Sequence, residues 1–100
     1  MAAQVIAKKF FPETIISTVD GGGNDLTKPK QGVWVELWKN EGRGICSAEV
    51  YSDDQEEYAE VGLWVEKGEL VDYDGVFSLP QEVVAVLREA GVRVPRMMVD

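Results

Sequence analysis

The sequence predicts an α+β domain, with a mainly antiparallel sheet of five or six strands and one C-terminal helix packed on it. Three observations predict it. Val33–Lys39 and Tyr58–Glu66 alternate apolar and polar residues with period two. Short turn signals, Asn40-Glu41-Gly42-Arg43-Gly44 and Lys67-Gly68, separate consecutive strand candidates. A single helical pattern follows the strands. Strands joined by tight hairpins and then a helix are the order of an α+β fold. The 100 residues fit one domain spanning 1–100.

Gln4–Phe11 reads as a first strand, ended by Pro12, and Glu13–Val19 as a second, β-branched one. Asp20–Gly32 is rich in turn formers and reads as a long loop. In the next strand Val33, Val35 and Leu37 point one way, and Trp34, Glu36 and Trp38 the other. Ile45–Tyr51 returns, and Ser52–Gln55 turns again. In Tyr58–Glu66, Ala59, Val61, Leu63 and Val65 oppose Tyr58, Glu60, Gly62, Trp64 and Glu66.

For the next hairpin, a two-residue loop at Lys67-Gly68 needs a left-handed lysine. A three-residue loop, Glu66-Lys67-Gly68, needs that conformation only at Gly68. It sets Leu63 against Val71, Val61 against Tyr73, Trp64 against Leu70 and Glu60 against Asp74. Apolar pairing favours this bulged turn.

Ser78 with Gln81 has capping-box spacing and Pro80 suits a first turn, which predicts a helix from about Leu79 to Ala90. Val83, Val86, Leu87 and Ala90 form its apolar stripe, and Gly91 ends it. Val92 and Val94 suit a short extra strand, and the Arg96–Asp100 tail is either loose or docked through its methionines.

Eighteen acids against ten bases give a net charge of −8, and there is no histidine. That charge repels nucleic-acid backbones and anionic membrane surfaces, so neither is an expected partner. No apolar run approaches a membrane span, and Lys8 and Lys9 follow the first apolar residues rather than preceding them, unlike a secretory signal. Cys46 is the only cysteine, which suits a reducing, cytoplasmic compartment and a buried, inert thiol. Without histidine, Ser-His-Asp, Cys-His and HExxH chemistries are excluded. Residues 41–82 hold twelve acids and two bases, a net −10, whereas residues 1–40 and 83–100 are each +1. A basic protein partner would be steered to that segment.

Several patterns carry no chemistry. Gly21-Gly22-Gly23-Asn24 lacks the Gly-Lys-Ser/Thr and helix of a phosphate loop. Asp72-Tyr73-Asp74-Gly75 looks like part of a calcium loop, but Leu70 and Gln81 stand where it needs ligands. No metal and no cofactor are expected. Glu60 with Asp74, or with Glu36, offers paired carboxylates of the kind used in glycoside hydrolysis.

The tryptophans are the most informative feature. Trp34 and Trp38 flank Glu36 on one strand face, and Trp64 lies with Glu60 and Glu66 on another. If these faces coincide, indoles and carboxylates meet on one surface suited to a sugar, a cation or a protein. If the helix packs there, they are core. One helix leaves one apolar sheet face to be covered, which predicts a homodimer.

Asp72-Tyr73-Asp74-Gly75-Val76-Phe77-Ser78-Leu79-Pro80, followed by Val83–Leu87, resembles the strand-to-helix passage of many small bacterial proteins. As a type, the chain resembles acidic orphan proteins carried on mobile, integron-type gene cassettes, and small immunity proteins. This resemblance brings no functional residue with it. The sequence therefore points to a non-catalytic binding or protein-interaction module, with Trp34, Glu36, Trp38, Glu60, Trp64 and Asp74 as its binding residues. The alternatives are a small-ligand module with a Trp-lined pocket and a carboxylate-dependent hydrolase.

Overall fold

The computed structural model describes residues 3–16, 30–42, 44–55, 58–76 and 79–98. Five strands form one sheet in sequence order: β1 (Ala3–Ile16), β2 (Lys30–Asn40), β3 (Gly44–Ser52), β4 (Tyr58–Glu66) and β5 (Glu69–Asp74). Every neighbouring pair is antiparallel. One helix, α1 (Gln81–Glu89), and a short 3₁₀ turn at Arg96–Met98 follow. The architecture is α+β. Among the described residues no helix is long and apolar enough to cross a membrane.

The alternation of β2, β3 and β4 decides where the core lies. Val33, Val35, Leu37, Ala48, Val50, Val61 and Leu63 all point to one side of the sheet and are buried. The helix lies on that side, over β1 and β2, and adds Val83, Val84, Val86 and Leu87. Ala90 is exposed, so the predicted helical stripe is shifted to include Val84 in its place. Lys9 to Glu89 (2.9 Å) and Thr14 to Glu82 (2.9 Å) tie the helix to β1.

Three expectations need correction. First, Pro12 does not split the first strand: β1 runs from Ala3 to Ile16. Proline is tolerated because β1 is an edge strand, and the register slips between Phe11 and Ile15. Second, Lys67 takes φ +53° and Gly68 +78°, so the β4–β5 loop has two residues, not three. The register is Leu63–Tyr73, Gly62–Asp74 and Trp64–Asp72, then Val65–Leu70, with Val71 as an unpaired bulge. Both solutions keep Leu63 from facing an aspartate. The observed one keeps the turn whose twist matches the strands and moves the extra residue into β5. Third, the helix begins at Gln81 with Pro80 as its N-cap and no side-chain capping bond. Ser78, the expected cap, lies outside the described residues, as do the glycine run and most of the expected 20–32 loop.

The extra strand suggested by Val92 and Val94 is reduced to a parallel bridge between Arg93 and Glu69. Both valines are nonetheless buried. Met97 is 88% exposed, so the tail does not dock through it.

Left-handed φ disfavours lysine by about 1–2 kcal/mol. Lys67→Asn, which converts the loop to Asn-Gly, is expected to raise stability by about 0.5–1 kcal/mol in urea denaturation. Leu87→Ala, which empties a fully buried site, is expected to lower it by about 2–5 kcal/mol. An unchanged or lowered midpoint for Lys67→Asn would contradict the turn geometry.

Candidate functional site

The sheet side opposite the helix is not covered by any described element. Side chains of the alternate parity stand there in cross-strand rows. Phe10, Trp34 and Tyr51 make an aromatic row across β1, β2 and β3. Lys8, Glu36, Glu49 and Glu60 make the next, across four strands. Val5, Trp38, Ser47, Gly62 and Asp74 make a third, across all five, and Trp64 with Asp72 lies beyond. All six residues expected to bind thus stand on one face: Trp34, Glu36, Trp38, Glu60, Trp64 and Asp74. The helix packs on the valine and leucine side instead. Glu60 faces Glu49, and Asp74 faces Gly62, one row from where the three-residue turn would have set it.

Local contacts hold these side chains. The Tyr51 hydroxyl donates to Glu36 Oε2 (2.8 Å), and Lys8 Nζ lies 3.5 Å from the same oxygen. Lys8 also sits 4.8 Å from the centre of the Trp34 ring, which packs at 4.9 Å and 42° against Phe10. Trp34 Nε1 donates to Asp53 Oδ1 (2.8 Å). Asp54 accepts from Ser52 Oγ (2.6 Å) and pairs with Lys30 (2.6 Å), so the turn after β3 is anchored to β2. Gln55, in that turn, has φ +63°.

A depression of about 400 Å³ opens among Lys8, Glu36, Trp38, Glu49, Tyr51 and Gln55. Its size is that of a small-molecule site. Trp38 Nε1 is buried and has no hydrogen-bond partner among the described residues. At the far end, Gly62 makes room: any side chain there would collide with the Asp74 carboxylate and approach the Trp64 ring. Trp64 is 41% exposed.

Burial, and then the bond to Glu36, raises the Tyr51 pKa above its ordinary 10.0. Lys8 is raised above 10.5, chiefly by the Tyr51 hydroxyl, with Glu36 adding to it. The arrangement offers acceptors, aromatic faces and one cation already in place. Among the described residues no group of three carboxylates or thiols converges on a metal position. Cys46 is half-buried, an extra residue where the β2–β3 register shifts, and its thiol points to the Trp38 carbonyl (3.7 Å).

Sequence reasoning missed Lys8, Phe10, Glu49, Tyr51 and Gln55. The parity of Ser47, Glu49 and Tyr51 against Ala48 and Val50 was a usable signal for β3. Lys8 and Phe10 join only through the β1–β2 register.

Raised pKa values mean that both groups favour the folded state fully below about pH 10 and lose that contribution as pH rises through the folded values. In an ultraviolet absorbance titration Tyr51 should ionise later than a free phenol, so the wild-type curve minus that of Tyr51→Phe should show a single late-ionising phenol. A difference curve with the midpoint of a free phenol or below it would refute the assignment. Trp64→Ala should cost clearly less than the roughly 3–5 kcal/mol of a buried aromatic, read by chemical denaturation. No protein-family model, no curated protein and no solved structure matches the chain, so the reading of this face rests on its own chemistry.

Proposed function

We propose that the protein is a non-catalytic binding module whose uncovered sheet face takes a basic segment of another protein. The observation that carries this reading is the alignment of an aromatic row beside an acidic row on the side the helix leaves open. Glu36, Glu49, Glu60, Asp72 and Asp74 supply negative charge there, and Lys8 is the one base in these rows. Aromatic faces beside carboxylates suit lysine and arginine side chains, by cation–π contact and by charge-assisted hydrogen bonds. Lys8 shows the geometry within the chain: its ammonium lies over the Trp34 ring and beside Glu36. The −10 charge of residues 41–82 adds long-range steering. The lack of histidine favours binding over acid–base catalysis.

A second reading is favoured by the 400 Å³ depression, which suits a small cationic molecule held between Glu36, Glu49 and Trp38. The two readings differ in footprint. A peptide engages Trp34, Trp38 and Trp64 together, whereas a small molecule leaves Trp64 untouched.

A short Lys/Arg-rich peptide is the probe, followed by tryptophan fluorescence and stopped flow. Binding should tighten as salt falls, through the on-rate. Glu36→Gln and Glu60→Gln should each weaken it by about 5- to 30-fold, which corresponds to about 1–2 kcal/mol. Glu41→Gln, in the β2–β3 turn, should change it little. A salt-independent on-rate, or equal loss in all three variants, would reject the basic-segment reading.

A further inference from the structure

We infer that Trp64, Asp74 and Glu60, gathered round Gly62 on the uncovered face, take an arginine side chain of the partner segment in preference to a lysine. The inference rests on the basic-segment reading above and names the side chain that this end of the face selects.

Gly62 lies inside β4, between β3 and β5, where a glycine weakens the strand. Its φ is not left-handed, so the backbone conformation does not require glycine. Space does. A carbon attached at Gly62 would stand 2.5 Å from Asp74 Oδ1 and 3.5 Å from Trp64 Cζ3. The Asp74 carboxylate thus leans across from β5, the indole leans back along β4, and the two flank one bare stretch of backbone. Glu60, the preceding residue of the same parity on β4, completes the group. A glycine inside a strand marks a close approach, and this one brings a carboxylate and a ring together at the surface.

The three tryptophans differ in what already covers them. Trp34 carries Phe10 and Lys8 against its ring and is bonded to Asp53. Trp38 is half-buried, and Trp64 is exposed. Charge divides the face in the same way. Lys8 stands on β1, three strand spacings from β4. That is about 14 Å, beyond the Debye length of about 8 Å at physiological salt. Lys8 therefore repels a second cation over Trp34, and its field is screened over Trp64. Among the described residues neither Glu60 nor Asp74 is paired with a base. Charge complementarity places the partner's cation at this end.

Shape chooses between the two basic side chains. At the Lys8 end, Glu36 Oε2, the Tyr51 hydroxyl and the Trp34 ring surround one nitrogen, an arrangement for a compact charge. Round Gly62 the partners are spread out. The indole is exposed, the Asp74 carboxylate lies at its edge, Glu60 stands beyond Gly62, and Asp72 faces Trp64 from β5. A guanidinium is planar, carries five donors and is more weakly hydrated than an ammonium, so it stacks on an exposed ring while its edge reaches carboxylates on either side. An ammonium over the same ring offers a point charge that holds its water.

Two blocked peptides of equal length and charge, one with arginine and one with lysine at every basic position, are titrated into the isotope-labelled chain and followed by nuclear magnetic resonance. The arginine peptide should bind about 5- to 10-fold more tightly. Trp64→Leu and Asp74→Asn should each reduce that preference to less than about 2-fold, whereas Glu36→Gln should weaken both peptides by a similar factor. In the wild-type chain the arginine peptide should shift the Trp64 indole and Gly62 amide signals most. Equal affinity for the two peptides, a preference that survives both Trp64→Leu and Asp74→Asn, or largest shifts at Trp34 and Tyr51 would each overturn the inference and leave the basic-segment reading standing. Binding of neither peptide would remove that reading and the inference with it. If a variant fails to fold, the affinity ratio and the signal shifts of the wild-type chain decide.

Discussion

A nine-residue helix covers one side of a five-stranded sheet, and the remaining architecture follows from which side that is. The side chains of Val33, Val35, Leu37, Val61 and Leu63 share one core with Val83, Val86 and Leu87, and burying each favours folding by about 1.5–3 kcal/mol. A slip of one residue in any strand would turn its apolar set outward. Three extra residues preserve that parity where strand lengths disagree: Ile6 in β1, Cys46 in β3 and Val71 in β5. Each lets the next apolar residue return to the covered side. Ala7 faces Leu37, Ile45 reaches the core margin and Tyr73 faces Leu63.

The uncovered side is the complement of this arrangement. Because parity is kept across the sheet, residues of like chemistry fall into register, aromatic beside aromatic and carboxylate beside carboxylate. Adjacent carboxylates repel, and the chain offsets this near β1 by placing Lys8 and the Tyr51 hydroxyl on Glu36. Toward Glu60 and Asp74 no base stands in the rows. The face is thus partly neutralised at one end and strongly acidic at the other.

The period-two pattern in residues 33–38 and 58–66 carries most of what was legible, because half-buried strands write burial directly into alternation. The shared face of Trp34 and Trp38 was readable from parity alone, whereas Trp64 joins it through the register of β2, β3 and β4. The Lys67 turn was not, because it sets a local backbone cost against the twist of two whole strands. The Val71 bulge left the same apolar outcome open by another route. Pro12 misled for a related reason: its missing N–H matters only where a neighbouring strand would use it, and edge position is a property of the sheet. Lys8, Glu49 and Tyr51 entered the site through register across three strands, which composition and spacing do not encode.

Pairing each strand only with its neighbour in sequence has a kinetic consequence. The β2–β3, β3–β4 and β4–β5 hairpins close over residues 41–43, 53–57 and 67–68, whereas β1 reaches β2 only across residues 17–29. Loop closure grows costlier with length, and contacts local in sequence form fastest. The four strands from β2 to β5 can therefore assemble as a unit while β1 is still unattached. The order of assembly places the addition of β1 late and makes it the strand whose detachment leaves the other hairpins standing.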